Sequence, residues 1–139
     1  DRNLRFACAE AARDGAVVLL EPVSGFDDYP LRTAAEVADV IGRYDDLDNL
    51  RLLLDIYHLA TNGADLTAAV ATYAGLVGHV QIADAPGRGE PGSGGLPLEA
   101  HLDALHLLGY DGWVGLEYSP TTTTEASLGW LPRSRRSDG

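Results

Sequence analysis

Short apolar runs that end in a polar residue recur four times along the chain, each followed by a loop and then by a segment with helical spacing. Such alternation predicts βα units arranged around a parallel sheet. The runs place strands over residues 16–23, 50–57, 78–83 and 112–118. Val17-Val18-Leu19-Leu20 and Leu52-Leu53-Leu54 are near-continuous apolar stretches, the pattern of strands covered on both faces. Helices are predicted over 4–13, 33–44, 66–76 and 98–108, the second with Val37, Val40 and Ile41 on one face. Asp65 stands where an N-cap belongs, and Gly15 and Gly109 where helices should end. One long connection, 84–96, is dense in Gly and Pro and lacks the Gly-Lys-Ser/Thr ending of a phosphate loop. It reads as a functional loop, with a flexible linker as the alternative. Residues 1–131 form the expected folded unit and 132–139 a disordered tail.

Each expected strand ends in one side chain able to bind a hard cation: Glu21, Asp55, Gln81 and Glu117, separated by 34, 26 and 36 residues. In parallel βα folds the carboxyl ends of the strands converge on one mouth. Strand alternation puts Leu19 with Glu21, Leu53 with Asp55, His79 with Gln81, and Gly115 with Glu117 on a common side. If that side is a barrel interior, three carboxylates and an amide meet in one layer. The set suits Mg2+ or Mn2+ better than a Cys- or His-based zinc site. Taken singly, an acid at a strand end is more often a helix cap or a loop acceptor than a ligand, and an amide like Gln81 commonly satisfies neighbouring backbone; the shared phase argues for a site. His58, three residues beyond Asp55, can reach a substrate oxygen or be an exposed loop histidine. His79 is expected to pack within the barrel and support Gln81, while His101 and His106 fall in the last helix and read as structural. In the Gly-rich loop, Arg88 and Glu90 are candidates for substrate binding, Arg88 through a bidentate contact to a carboxylate or as a solvated charge.

Acidic residues outnumber basic ones 21 to 10, a net charge of −11, so nucleic acid and anionic membrane surfaces are expected to be repelled. No run of about 18 apolar residues predicts a membrane span. The single Cys8 sits in an apolar helical pattern, which fits a buried thiol in a reducing compartment and, by default, a cytoplasmic location. The 139 residues contain no Met and open in what reads as mid-helix, so a preceding half is expected.

Four blocks carry a resemblance to a known family: Leu19-Leu20-Glu21-Pro22; Asp55-Ile56-Tyr57-His58; residues 78–92 around Gln81, Arg88 and Glu90; and residues 109–118 ending in Glu117-Tyr118. Together they resemble the hydroxypyruvate isomerases of the xylose-isomerase-like barrels. The resemblance implies an α/β (β/α)8 TIM barrel of which this chain supplies strands five to eight. It also implies that Glu21, Asp55, Gln81 and Glu117 match metal-binding positions, that Glu21 and Glu117 match the acid/base pair, and that hydroxypyruvate and tartronate semialdehyde are interconverted. His58 and Arg88 would orient that small 2-keto acid. Ser119 stands where many members have Lys, Gly89 where many have His, and residues 23–30 differ from the usual Asn- and Arg-containing stretch; these departures bear on substrate more than on metal. Another small sugar or 2-oxo acid on the same quartet is the neighbouring reading, and the related endonucleases are disfavoured by charge and by too few histidines for a multi-zinc cluster. A half-barrel would leave two unpaired edges, so an inactive fragment, self-association or pairing with the missing N-terminal half is expected of the chain by itself.

Overall fold

The computed structural model describes residues 2–132. Asp1 and the greater part of the expected tail, 133–139, lie outside the described residues. Four parallel strands, β1 (Val18–Leu20), β2 (Leu50–Asp55), β3 (Val77–Ile82) and β4 (Val114–Leu116), lie side by side in chain order. Helices α1 (Arg2–Arg13), α2 (Ala34–Ile41), α3 (Ile56–Thr61), α4 (Leu66–Tyr73), α5 (Leu98–Leu107) and α6 (Thr124–Ser127) connect and flank them. The expected α/β architecture with four parallel strands is what the chain adopts.

The outer face of the sheet makes the core. Leu52, Leu54, Val80 and Ile82 are fully buried against Val37, Leu59, Val70, Leu98 and Leu105 from the helices. Each such Leu or Ile contributes about 2–3 kcal/mol by leaving water. Cys8, buried as expected, joins Tyr44 and Leu50 in a smaller cluster under α1. The inner face is less covered: Arg51, Leu53, His79 and Gln81 are only partly buried.

Local chemistry explains most boundaries. Thr33 and Glu36 form a reciprocal capping box at α2, with Glu36 N–H donating to Thr33 Oγ1 at 3.2 Å and Thr33 N–H to Glu36 Oε2 at 2.9 Å. Asp65 caps α4 through Ala68 N–H at 3.0 Å. Gly15 and Gly109 adopt φ of 67° and 95°, the left-handed conformation that ends a helix without a side-chain penalty. The expected helix over 66–76 tightens into a 3-10 turn at Ala74–Leu76.

Two expectations need correction. The outer strands are shorter than predicted, because β1 pairs only with β2 and β4 only with β3; without a second neighbour the ladder stops early. The second strand was expected to run to Tyr57, yet the chain turns into α3 at Ile56 because the Asp55 carboxylate accepts His58 N–H at 3.1 Å and caps it.

Candidate metal and active site

Asp55 serves two purposes. Its Oδ1 caps α3, while Oδ2 is buried without a hydrogen-bond partner among the described residues. Beside it on β3, in register, stands Gln81, whose Oε1 is likewise buried and unpartnered. Glu21 follows β1 and Glu117 follows β4. One donor atom each from Glu21, Asp55, His58 and Glu117 lies within 4.8 Å of the others, a group able to hold a metal ion. Two orphaned oxygens next to converging carboxylates fit a hard cation, since a buried unpaired acceptor otherwise carries its full desolvation cost. The strand-end phase therefore brings Glu21, Asp55 and Glu117 together as expected, with Gln81 adjoining.

Burial dominates the electrostatics. It raises the Asp55 pKa to about 7 despite the opposing His58 N–H bond, and Glu117 and Glu21 push the same way. Glu21 is raised too, by burial first and then by Glu117, with Arg88 opposing. A metal-free Asp55 is thus protonated below neutrality, and cation uptake must expel that proton. Mn2+ affinity should therefore climb as pH rises toward about 7 and level off above it. Calorimetric titration near pH 5.5 should give binding roughly 30-fold weaker than near pH 8; pH-independent binding would contradict the shift.

His58 lies on α3 instead of in a loop, buried, with Nδ1 3.0 Å from Ser24 N and 2.7 Å from Ser24 Oγ. Ser24 N–H can only donate, so its bond favours a neutral ring with Nδ1 accepting and the proton on Nε2, whereas Arg88 Nη2, also only a donor and 3.4 Å from Nε2, favours the other tautomer. Burial, and then Arg88, depress the His58 pKa and favour that neutral form, while Glu117 opposes. Nε2 faces Glu21 Oε1 at 3.9 Å and Asp55 Oδ2 at 4.0 Å, with Arg88 Nη2 nearer at 3.4 Å. An imidazole nitrogen bearing hydrogen has no lone pair for a metal.

Arg88 closes the group. Its Nη2 contacts Glu117 Oε2 at 2.8 Å, and its guanidinium lies 5.0 Å from the centre of the Tyr57 ring. Arg88 holds a left-handed φ of 59°, rare outside Gly and Asn and sustained only where surroundings fix it. Its carbonyl accepts Ser119 N–H at 2.8 Å, so the departure at 119 leaves this backbone contact intact. Glu90, expected to meet substrate, has both carboxylate oxygens engaged by Thr121, at 2.9 Å from N–H and 2.6 Å from Oγ1. It staples the loop to the segment after β4. Gly89 is buried, and a Cβ there would come 2.4 Å from Ser93 Oγ, so the histidine of many family members would not fit this packing.

Sequence reasoning missed the residue that shapes the loop. Asp84 is 1 % exposed and accepts N–H groups from Ala85 at 2.8 Å and from Gly92, Gly94 and Leu96 at 2.9 Å. Burial works to raise its pKa, and those four donors outweigh it, holding the carboxylate below its ordinary range. Gly94 is required there: a Cβ would lie 2.4 Å from Ala85 O. An Asp at the start of a Gly-rich stretch was the available signal. Asp84→Asn turns an amide donor toward backbone donors and should cost about 3 kcal/mol in urea unfolding. Amide exchange at Gly92, Gly94 and Leu96 should accelerate; unchanged exchange would refute the clamp.

Comparison with known proteins fits this geometry. The profile of the xylose isomerase-like TIM barrel family matches residues 2–134. A Streptomyces coelicolor protein, provisionally named a hydroxypyruvate isomerase, is 48 % identical over 96 % of this chain and 50 % of its own length. The hydroxypyruvate isomerase of Escherichia coli is 38 % identical over 93 % of the chain and 50 % of its own length. A crystal structure titled AP endonuclease, family 2, from Brucella melitensis superposes with a TM-score of 0.87 at 35 % identity, covering 93 % of this chain and 50 % of that one. The chain belongs to the xylose isomerase-like TIM barrel family. Within that family it is similar to proteins named hydroxypyruvate isomerase, and it spans about half the length of these relatives. Among the described residues no helix is long and apolar enough to cross a membrane.

Proposed function

We propose that this chain carries the metal-binding and proton-transfer residues of an isomerase that interconverts hydroxypyruvate and tartronate semialdehyde. The observation that carries the reading is the convergence of Glu21, Asp55 and Glu117 beside the two orphaned acceptors, Asp55 Oδ2 and Gln81 Oε1. The likeness to hydroxypyruvate isomerases supports the choice of substrate.

Glu21, Asp55, Gln81 and Glu117 would hold one Mg2+ or Mn2+, an all-oxygen set that suits a hard cation better than one including the His58 nitrogen. When bound, the cation supplies a Lewis acid and a template for the adjacent carbonyl and hydroxyl oxygens of the substrate. One of Glu21 and Glu117 takes a proton from C3 of hydroxypyruvate, and the C–H electrons become a C2=C3 double bond while the carbonyl oxygen takes on negative charge. The other glutamate, protonated at the outset, delivers a proton to C2 while the C3 hydroxyl proton passes to the charged C2 oxygen and C3 closes to an aldehyde; the two glutamates end with their protonation states exchanged. Glu21 follows β1 and Glu117 follows β4, on either side of Asp55 in the strand order, so the two approach the substrate from different strands. His58 donates from Nε2 to a substrate oxygen, and Arg88, ordered over Tyr57, meets the carboxylate.

The test is proton NMR of hydroxypyruvate in D2O with Mn2+, using the chain together with the half of the Streptomyces coelicolor relative that it does not match. Tartronate semialdehyde should appear with solvent deuterium at C2. Conversion of other 2-keto acids or ketoses with none of hydroxypyruvate would contradict the assignment.

A further inference from the structure

Arg88 occupies the mouth of the candidate metal site. Its Nη2 lies 2.8 Å from Glu117 Oε2 and 3.4 Å from His58 Nε2, so one nitrogen reaches two members of the group able to hold a cation. Among the described residues no other arginine comes within ion-pair distance of Glu21, Asp55 or Glu117. Three carboxylates with oxygens within 4.8 Å of one another need a positive charge nearby. In the metal-free protein Arg88 supplies it, and its charge opposes the burial that raises Glu21.

The residue is firm at its backbone and loose at its guanidinium. Arg88 O accepts Ser119 N–H at 2.8 Å, Gly89 O accepts Asp84 N–H at 2.9 Å, and the left-handed φ of 59° is held between these bonds. The Arg88 side chain is nevertheless 33 % exposed and that of Glu117 46 %, so water can replace either partner. The approach to His58 is weaker still. Ser24 N–H already donates to Nδ1, and a neutral imidazole has one accepting nitrogen, so one ring cannot satisfy both donors. The Tyr57 ring, its centre 5.0 Å from the guanidinium carbon, gives a support that does not depend on Glu117.

We infer that Arg88 is a resident counter-cation of this site: a divalent cation entering among the carboxylates displaces its guanidinium from Glu117, and the released group, still beside Tyr57, becomes the receptor for an anionic ligand. Two cations drawn to one carboxylate repel each other, and the one on a flexible, solvent-reaching side chain is the one that yields. Metal uptake therefore switches on anion recognition, and by linkage an anion that engages Arg88 favours the metal. The inference rests on the metal-site reading and is independent of the reaction that follows.

The experiment is Mn2+ titration of the 139-residue chain and its Arg88 variants at pH 8, with free ion followed by electron paramagnetic resonance. Proton–nitrogen NMR of the arginine Nε–H groups is recorded alongside as Mg2+ is added. Arg88→Met should bind Mn2+ about 5- to 20-fold more tightly than the parent, and Arg88→Gln, run in case the methionine variant fails to fold, should do the same. Arg88→Lys, which keeps the charge and a donor for Glu117, should stay within about threefold of the parent. In the parent, the Nε–H signal missing from Arg88→Met should move as Mg2+ binds, because Nε gives up Glu117 O, now 3.3 Å away. A parent signal that Mg2+ leaves in place, or folded neutral variants that bind Mn2+ no more tightly than the parent, would overturn the displacement and leave the metal site standing. Folded parent and variants that all leave Mn2+ free would overturn the site and the inference together, so the two failures are told apart.

Discussion

Asp55→Asn is expected to abolish divalent-cation binding while leaving the fold in place. The two carboxylate oxygens divide the labour: Oδ1 caps α3 through His58 N–H, and Oδ2 is the buried atom with no partner. Asparagine keeps an acceptor for the cap and replaces the orphaned oxygen with an amide that repels a cation. The loss should exceed the 10- to 100-fold typical of residues that only support a ligand. Stability should move the other way. Asp55 has its pKa raised to about 7 by burial, so the folded protein prefers it neutral and loses stability as pH rises from the unfolded-state value through 7. Asparagine has no charge to gain. At pH 8 the metal-free variant should therefore melt above the metal-free parent, and at pH 4 the two should converge. A variant that melts lower at pH 8, or binds Mn2+ like the parent, would show that Asp55 has another role.

The second large effect concerns turnover. In the barrel completed by the other half, Glu117→Gln should lower isomerisation by about 10²- to 10⁴-fold, the range for removing a positioned acid or base. Glu21→Gln should do the same, and the two should separate in what remains. The variant that keeps the abstracting glutamate should still exchange the C3 protons of hydroxypyruvate with D2O while forming no product. The other should do neither. Arg88 contacts Glu117 at 2.8 Å, so Glu117→Gln also frees a guanidinium for the substrate carboxylate, and kcat should fall without a rise in the apparent KM. Isomerisation at the parental rate in both variants would remove the glutamates from the chemistry.

Much of this arrangement was written in strand-end phase. Glu21, Asp55, Gln81 and Glu117 share a register because alternation along a strand is strict, and three of them do converge within one small volume. Expectation failed where a contact depends on residues far apart in the chain. Nothing near His58 announces that Ser24, 34 positions earlier, will donate to its Nδ1. The short α3 was hidden because Ile56 and Tyr57 continue the apolar run of β2, and only the capping carboxylate of Asp55 ends the strand. Glu90 looked like a substrate contact because loop charges often are; Thr121, 31 residues on, occupies it. Asp84 escaped notice because a carboxylate that gathers backbone N–H groups leaves no periodic trace.

Titrating Mn2+ into the 139-residue chain at pH 8, with free ion followed by electron paramagnetic resonance, tests the quartet most directly. The expected result is one ion bound per chain, lost in Asp55→Asn and strongly weakened in Gln81→Leu. A folded parent chain that leaves all the Mn2+ free, or that binds it equally well in both variants, would contradict the site.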